Sequence, residues 1–264
     1  MLFRSGCVPV LVPTRSDYQL DLDAIARAIT PRTRAIVTVS PNNPTGAVYP
    51  KADLVAISEL CAARGLYHFS DEAYEYFTFG QTGHFSPGSL PGAHQYTLTF
   101  QSFSKGWGMA SWRCGYVVYP EHLSDAMNKV QDTNLICAPV VSQLLALQSL
   151  QQGRISLEPE LQALAAVRKE VHQALGALDG LGSFERTEGA FYVMVKLPGV
   201  SDPMAFSRAM VERHRVAAIP GFAFGLTQTR EANYQRLSFG SLDAATVAEG
   251  VQRFVTAVRD WYSH

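Results

Sequence analysis

Charge is scarce in this sequence. Asp, Glu, Lys and Arg make up 17% of it, against about 25% in an average soluble domain, so less surface than usual is built to face water. That shortfall points to an oligomer interface or to a missing piece of the fold. No run of like charge occurs and the net charge is −1, so the basic stripe that phosphate neutralisation demands of a nucleic-acid binder is absent. No apolar run approaches the roughly 18 residues needed to span a membrane. The opening Met1-Leu2-Phe3-Arg4-Ser5-Gly6 lacks the basic region and apolar core of a secretion signal. Cys7, Cys61, Cys114 and Cys137 stand far apart with no C-x-x-C pair, which fits reduced thiols and a cytoplasmic chain. The seven histidines show no H-x-x-x-H spacing, so no metal site is expected.

What remains is ample for a core. The 264 residues are 47% apolar, enough for one large or two modest domains at about 150 residues each. Ala35-Ile36-Val37-Thr38-Val39 reads as a strand stopped by the turn-rich 40–46 stretch. A helix fits 51–64, with Leu54, Ile57, Leu60 and Cys61 on one face. Further strands fit Leu66–Phe69, Thr97–Phe100 and Cys114–Tyr119. This alternation predicts an α/β fold: a mostly parallel sheet with helices on both faces. Beyond a boundary placed near 155, helices are expected over about 138–150, 157–179, 203–214 and 243–259. Strands are expected near 190–197, 216–219 and 235–239. The first part (1–155) is the larger domain and 156–264 a smaller α+β domain. Val247, Val251, Phe254, Val255 and Val258 form one stripe on the last helix.

The chemistry-bearing residues fall just after three strand ends: Asn43, Asp71 with Tyr74, and Ser102 with Lys105. Ligands of open α/β sheets bind where strands end together. Singly, each has a bland reading: turn chemistry for Asn42–Gly46, a helix cap for Asp71, a solvated charge for Lys105, surface ion pairs for Arg113 and Arg236. Jointly they suit pyridoxal phosphate. A lysine can form a Schiff base with an aldehyde, a carboxylate suits a protonated ring nitrogen, and an arginine fork suits phosphate.

Asn43-Pro44-Thr45-Gly46, Ser70-Asp71-Glu72-Ala73-Tyr74, Ser102-Phe103-Ser104-Lys105 and Trp112-Arg113-Cys114-Gly115-Tyr116 resemble the class I/II, fold type I aminotransferases in order and spacing. Pro220–Gly225 and Arg236-Leu237-Ser238-Phe239 match the same family, so the resemblance covers essentially the whole chain. It implies pyridoxal 5'-phosphate as cofactor, an amino acid and a 2-oxo acid as substrates, and a homodimer. By that resemblance Lys105 forms the Schiff base and shuttles the proton. Asp71 pairs with the ring nitrogen, and Asn43 and Tyr74 with the ring 3-oxygen. Ser102 and Arg113 hold phosphate, with Ser104 a further candidate, and Arg236 clamps the substrate carboxylate.

The aromatics of Gly189-Ala190-Phe191-Tyr192, with Trp107 and Trp112, read as core packing. Ser102–Lys105 also satisfies S-x-x-K, the motif of penicillin-recognising hydrolases, but S-D-N, K-T-G and G-x-S-x-G are all absent. Relatives at the level of fold include lyases acting through the same cofactor. Set against the family, the chain looks N-terminally short: a glycine-rich phosphate loop and a ring-stacking aromatic are expected upstream of Val8. The alternative reading is therefore a truncated, non-catalytic aminotransferase-like protein or interaction module.

Overall fold

The computed structural model describes residues 6–225, 233–240 and 243–263, so residues 1–5 of the opening stretch lie outside the described residues. It divides into two compact units. The first comprises Met1–Ser40, Val48–Glu75 and Thr82–Leu147; the second comprises Pro41–Ala47, Tyr76–Gln81 and Gln148–His264.

In the first unit α1 (Leu22–Ala28) opens with Asp21 Oδ1 accepting from the Ala24 amide, a side-chain cap the sequence reading passed over. Strand β1 (Ala35–Val39), helix α2 (Lys51–Arg64) and strand β2 (Tyr67–Asp71) form a parallel crossover, and β3 (Thr97–Ser102) adds a third parallel strand. Strand β4 (Gly115–Val118) pairs antiparallel with β3 and completes the order β1-β2-β3-β4. The α2 helix spans the predicted residues and buries Leu54, Ile57 and Cys61; it ends because Gly65 takes the left-handed conformation. Burial pushes the Cys61 thiol up to about 12, so this sulfur packs as an apolar group.

Strand alternation sorts the sheet's side chains. Thr38, His68, Ser70, Thr97 and Thr99 are buried, while Val37 stays 53% exposed. Phe69 and Phe100 meet edge-on, ring centroids 5.8 Å apart. After β4 come α3 (Ser124–Asn134), which buries no residue, and α4 (Val140–Gln152), whose Val140, Leu144 and Leu147 are exposed. The sequence reading did not foresee α3, whose apolar stripe is limited to Met127 and Val130.

In the second unit, α5 (Glu158–Leu175) runs into a 3-10 turn at Gly176–Leu178 and buries Leu161, Val167, Val171, Leu175 and Leu178. The sheet is antiparallel in the order β5-β6-β8-β7, from Ser183–Phe184, Tyr192–Lys196, Tyr234–Ser238 and Ile219–Pro220 respectively. Helix α6 (Pro203–His214) matches its expected span. Asp202 caps it by accepting from the Met204 and Ala205 amides, with Pro203 at the first position. Helix α7 (Ala244–Tyr262) buries its whole anticipated stripe against Val193, Val195, Phe206, Met210, Leu175 and Leu178.

The short pieces 41–47 and 76–81 belong to this unit through backbone bonds. The Gly189 amide donates to the Gly46 carbonyl at 2.7 Å, the Phe79 amide to Glu188 at 2.7 Å, and the Ala190 amide to Phe77 at 2.9 Å. Gly46 sits at φ +76°, and a Cβ there would come within 2.6 Å of Thr187 Oγ1. Only glycine tolerates both demands.

Candidate active site

In the first unit the parallel register aligns the strand ends, with Val39 opposite Asp71 and Asp71 opposite Phe100. Asp71 closes β2, and its Oδ1 accepts the Ala73 amide at 3.1 Å, which turns the chain towards buried Tyr74. No helix follows directly, so the isolated reading of Asp71 as a helix cap is corrected: its side chain braces a turn instead. Ser102 closes β3, and its Oγ accepts the Ser104 amide at 3.2 Å. Beyond it, Lys105 Nζ lies 5.8 Å from the centre of the Tyr74 ring, so the structure brings these two together.

Arg113 is led back to β3 by the β3–β4 ladder, in which Gly115 faces Ser102. A Cβ at Gly115 would stand 2.7 Å from the Gln101 carbonyl, which accounts for glycine in the Arg113-Cys114-Gly115 stretch. Arg113 itself adopts φ +52° and donates from Nη1 to the Ala110 carbonyl at 2.7 Å. Beneath this turn Phe103, Met109 and Cys114 pack with Ala146, and Trp107 adds partial cover. Trp112 does not. It is 40% exposed, which corrects the expectation of core packing: it ends the exposed 3-10 turn Ala110–Trp112, which buries no residue.

In the second unit Asn43 and Arg236 meet, with Arg236 Nη1 donating to Asn43 Oδ1 at 2.7 Å. The neighbouring Asn42 serves the turn instead, accepting from the Thr45 amide at 3.2 Å and the Thr45 hydroxyl at 2.8 Å. The Arg236 guanidinium lies 4.2 Å from the Tyr192 ring centre and 4.7 Å from that of Phe224. Its Nε is buried, with no hydrogen-bond partner among the described residues. Tyr192 is as buried as core packing requires, but it also presents its ring to a cation. Sequence reasoning missed this second task of Tyr192 and the task of Phe224. Phe224 stands in a stretch matched to the family, yet only the β6–β8 register, Met194 opposite Arg236, puts Tyr192 diagonally beside the arginine.

Residues 2–254 match the family model for aminotransferase class I and II. The chain belongs to that family. Among class I/II aminotransferases it is 32% identical over 264 residues to a probable aspartate/prephenate aminotransferase of Aquifex aeolicus, covering 97% of this chain and 65% of the relative. It is 34% identical to aromatic-amino-acid aminotransferase 2 of Thermococcus litoralis, covering 90% and 61%. The solved aromatic aminotransferase of Pyrococcus horikoshii superposes with a TM-score of 0.87 at 31% identity, covering 96% of this chain and 68% of that one. The chain thus spans less than two thirds of the length of these curated relatives.

Family members depend on pyridoxal phosphate. An amine, a carboxylate, a phenol, a hydroxyl and a guanidinium stand at strand ends and turns of the first unit, and this donor set fits that cofactor's aldehyde, ring nitrogen, phenolic oxygen and phosphate. Among the described residues no group of three or more His, Cys, Asp or Glu could hold a metal ion. No described helix is long and apolar enough to cross a membrane.

Proposed function

We propose that the protein transfers an amino group from an L-amino acid to a 2-oxo acid with pyridoxal phosphate, as a cytoplasmic homodimer. The observation that carries this reading is the juxtaposition of Lys105 with Tyr74, beside the aligned strand ends that bear Asp71 and Ser102. When bound, the cofactor supplies an aldehyde for an amine and a ring that withdraws electrons from the substrate α-carbon.

The chain's own residues have separate tasks. Lys105 would hold the cofactor through its amine and, as a free amine, would carry the proton at the substrate α-carbon. Asp71 keeps the ring nitrogen protonated. Tyr74 would donate to the ring oxygen; Asn43, whose side-chain oxygen accepts from Arg236, keeps its side-chain N–H to donate to the cofactor. Ser102, Ser104 and Arg113 take the phosphate. Arg236 takes the substrate carboxylate on the edge that includes Nε, a buried donor suited to a planar two-oxygen partner. The division near 155 into a cofactor domain and a smaller domain belongs to the same proposal.

The relatives named above act on aspartate, prephenate or aromatic amino acids, which makes these the first substrates to try. The second reading is a non-catalytic aminotransferase-like protein or interaction module. One titration separates the two. Pyridoxal phosphate added to the protein gives a visible absorbance band that Lys105→Ala abolishes, and under the first reading aspartate or phenylalanine shifts that band. A band that no amino acid shifts, or no band at all, removes turnover and leaves the second reading.

A further inference from the structure

Glu72 follows Asp71, is 1% exposed, and has no place in the chemistry above. Its carboxylate gathers four donors. Ser70 Oγ and Ser86 Oγ each donate to Oε1 at 2.9 Å, while His84 Nε2 and Gln101 Nε2 each lie 3.0 Å from Oε2. That fills the roughly four lone-pair sites of an ionised carboxylate. The donors come from three places: the end of β2, the 84–86 loop and the end of β3.

The register shows what this knot fixes. Continuing Asp71 opposite Phe100, Glu72 stands level with Gln101 and on the same face as Ser70, and the Glu72 amide donates to the Phe100 carbonyl at 2.9 Å. Asp71 and Ser102 occupy the alternate positions and so belong to the other face. The loop is pressed close as well, since a Cβ at Gly88 would lie 2.5 Å from Thr99 Oγ1. Two atoms of the knot, His84 Nδ1 and Gln101 Oε1, are buried without partners among the described residues, so Glu72 is what satisfies these side chains.

Resting on the function proposed above, we propose that Glu72 is a positioning residue: from the back of the sheet it locks the ends of β2 and β3, and so sets the separation of Asp71 and Ser102. Removing it unties both ends at once, because a buried network with one member missing leaves several donors unsatisfied. Glutamine at 72 keeps the ties. Its nitrogen can face the two serine hydroxyls, which can turn to accept, while its oxygen receives His84 and Gln101.

Hydrogen exchange on the purified chain, with cofactor affinity measured in parallel, tests this. In Glu72→Leu the segments 70–75 and 101–106 exchange at least about threefold faster than in the wild type, with the rest of the first unit unchanged. The Kd for pyridoxal phosphate rises about tenfold, and Glu72→Gln restores both. Thr38→Val, which breaks a buried bond elsewhere in the same sheet, lowers Tm without moving those two segments. Should Glu72→Leu fail to fold, Gln101→Met, which severs only the tie to β3, is read in the same way. Uniformly faster exchange across the unit, no change in the two segments, or an unchanged Kd in a wild type that binds would overturn the proposal. If the wild type takes up no cofactor, the function reading fails, and exchange at the two strand ends alone decides the role of Glu72.

Discussion

The second unit buries Val193, Val195, Phe206, Met210 and Phe254 against one another, whereas the strands of the first bury Thr38, His68, Ser70, Thr97 and Thr99. One interior is held by area removed from water, which is tolerant of detail. The other buries apolar residues too, such as Leu54, Ile57 and Leu98, but adds buried hydrogen bonds such as that between Thr38 Oγ1 and His68 Nε2 at 2.9 Å, which are worth little when made and costly when half-broken. The family's chemistry-bearing residues outside Asn43 and Arg236 lie in the polar unit. Oriented groups there can fix side-chain positions that packing of aliphatic residues would leave looser.

Breaking the apolar interior gives the largest effect. Phe254→Ala empties a fully buried ring site and costs about 3–5 kcal/mol, read as a lower urea midpoint. Acid comes next and strikes both units. Burial pushes His68 down to about 4, with Glu72 opposing, and burial with Arg168 and Arg186 nearby does the same to His172. The folded state favours the neutral rings, so the unfolded chain binds the extra protons. Stability is complete above about 6.5 and falls as the pH drops towards 4, by about 2 kcal/mol per histidine between pH 7 and 5. His68→Gln and His172→Gln each remove part of that slope in a series of melts. A slope untouched by both variants would contradict the burial account.

Thr38→Val sharpens the contrast on a smaller scale. It keeps shape, strips His68 of its partner and costs about 1–2 kcal/mol, well below the phenylalanine cavity. The smallest expected effect has the opposite sign. Arg113 holds φ +52°, so Arg113→Gly relieves backbone strain and gains up to about 1 kcal/mol in Tm measurements while weakening phosphate binding. A variant that lost stability and cofactor together would show that Arg113 serves the fold.

The apolar unit was the more legible in sequence. The α7 stripe and the α6 span follow from period and caps, because burial there repeats every turn. Helix α2 was equally plain. By contrast α3 offers only a narrow apolar stripe of Met127 and Val130, and the sequence reading passed it over. At the site, Asp71, Tyr74, Ser102 and Lys105 could be picked out because motifs place them at strand ends. Glu72 could not, since its partners lie 12, 14 and 29 residues downstream as well as beside it, and no local pattern marks such a knot. Arg236 was picked out by resemblance, but its two flanking rings emerged only from strand register and the turn at Phe224.

Those rings have a consequence for selectivity. With Nη1 given to Asn43 and two ring centres 4.2 and 4.7 Å away, the cation has little room to follow its guest, so a carboxylate must orient itself to the free edge of the fork. Lysine in the same slot would keep the charge but lose the two-point fork and, with it, the fixed orientation of the guest.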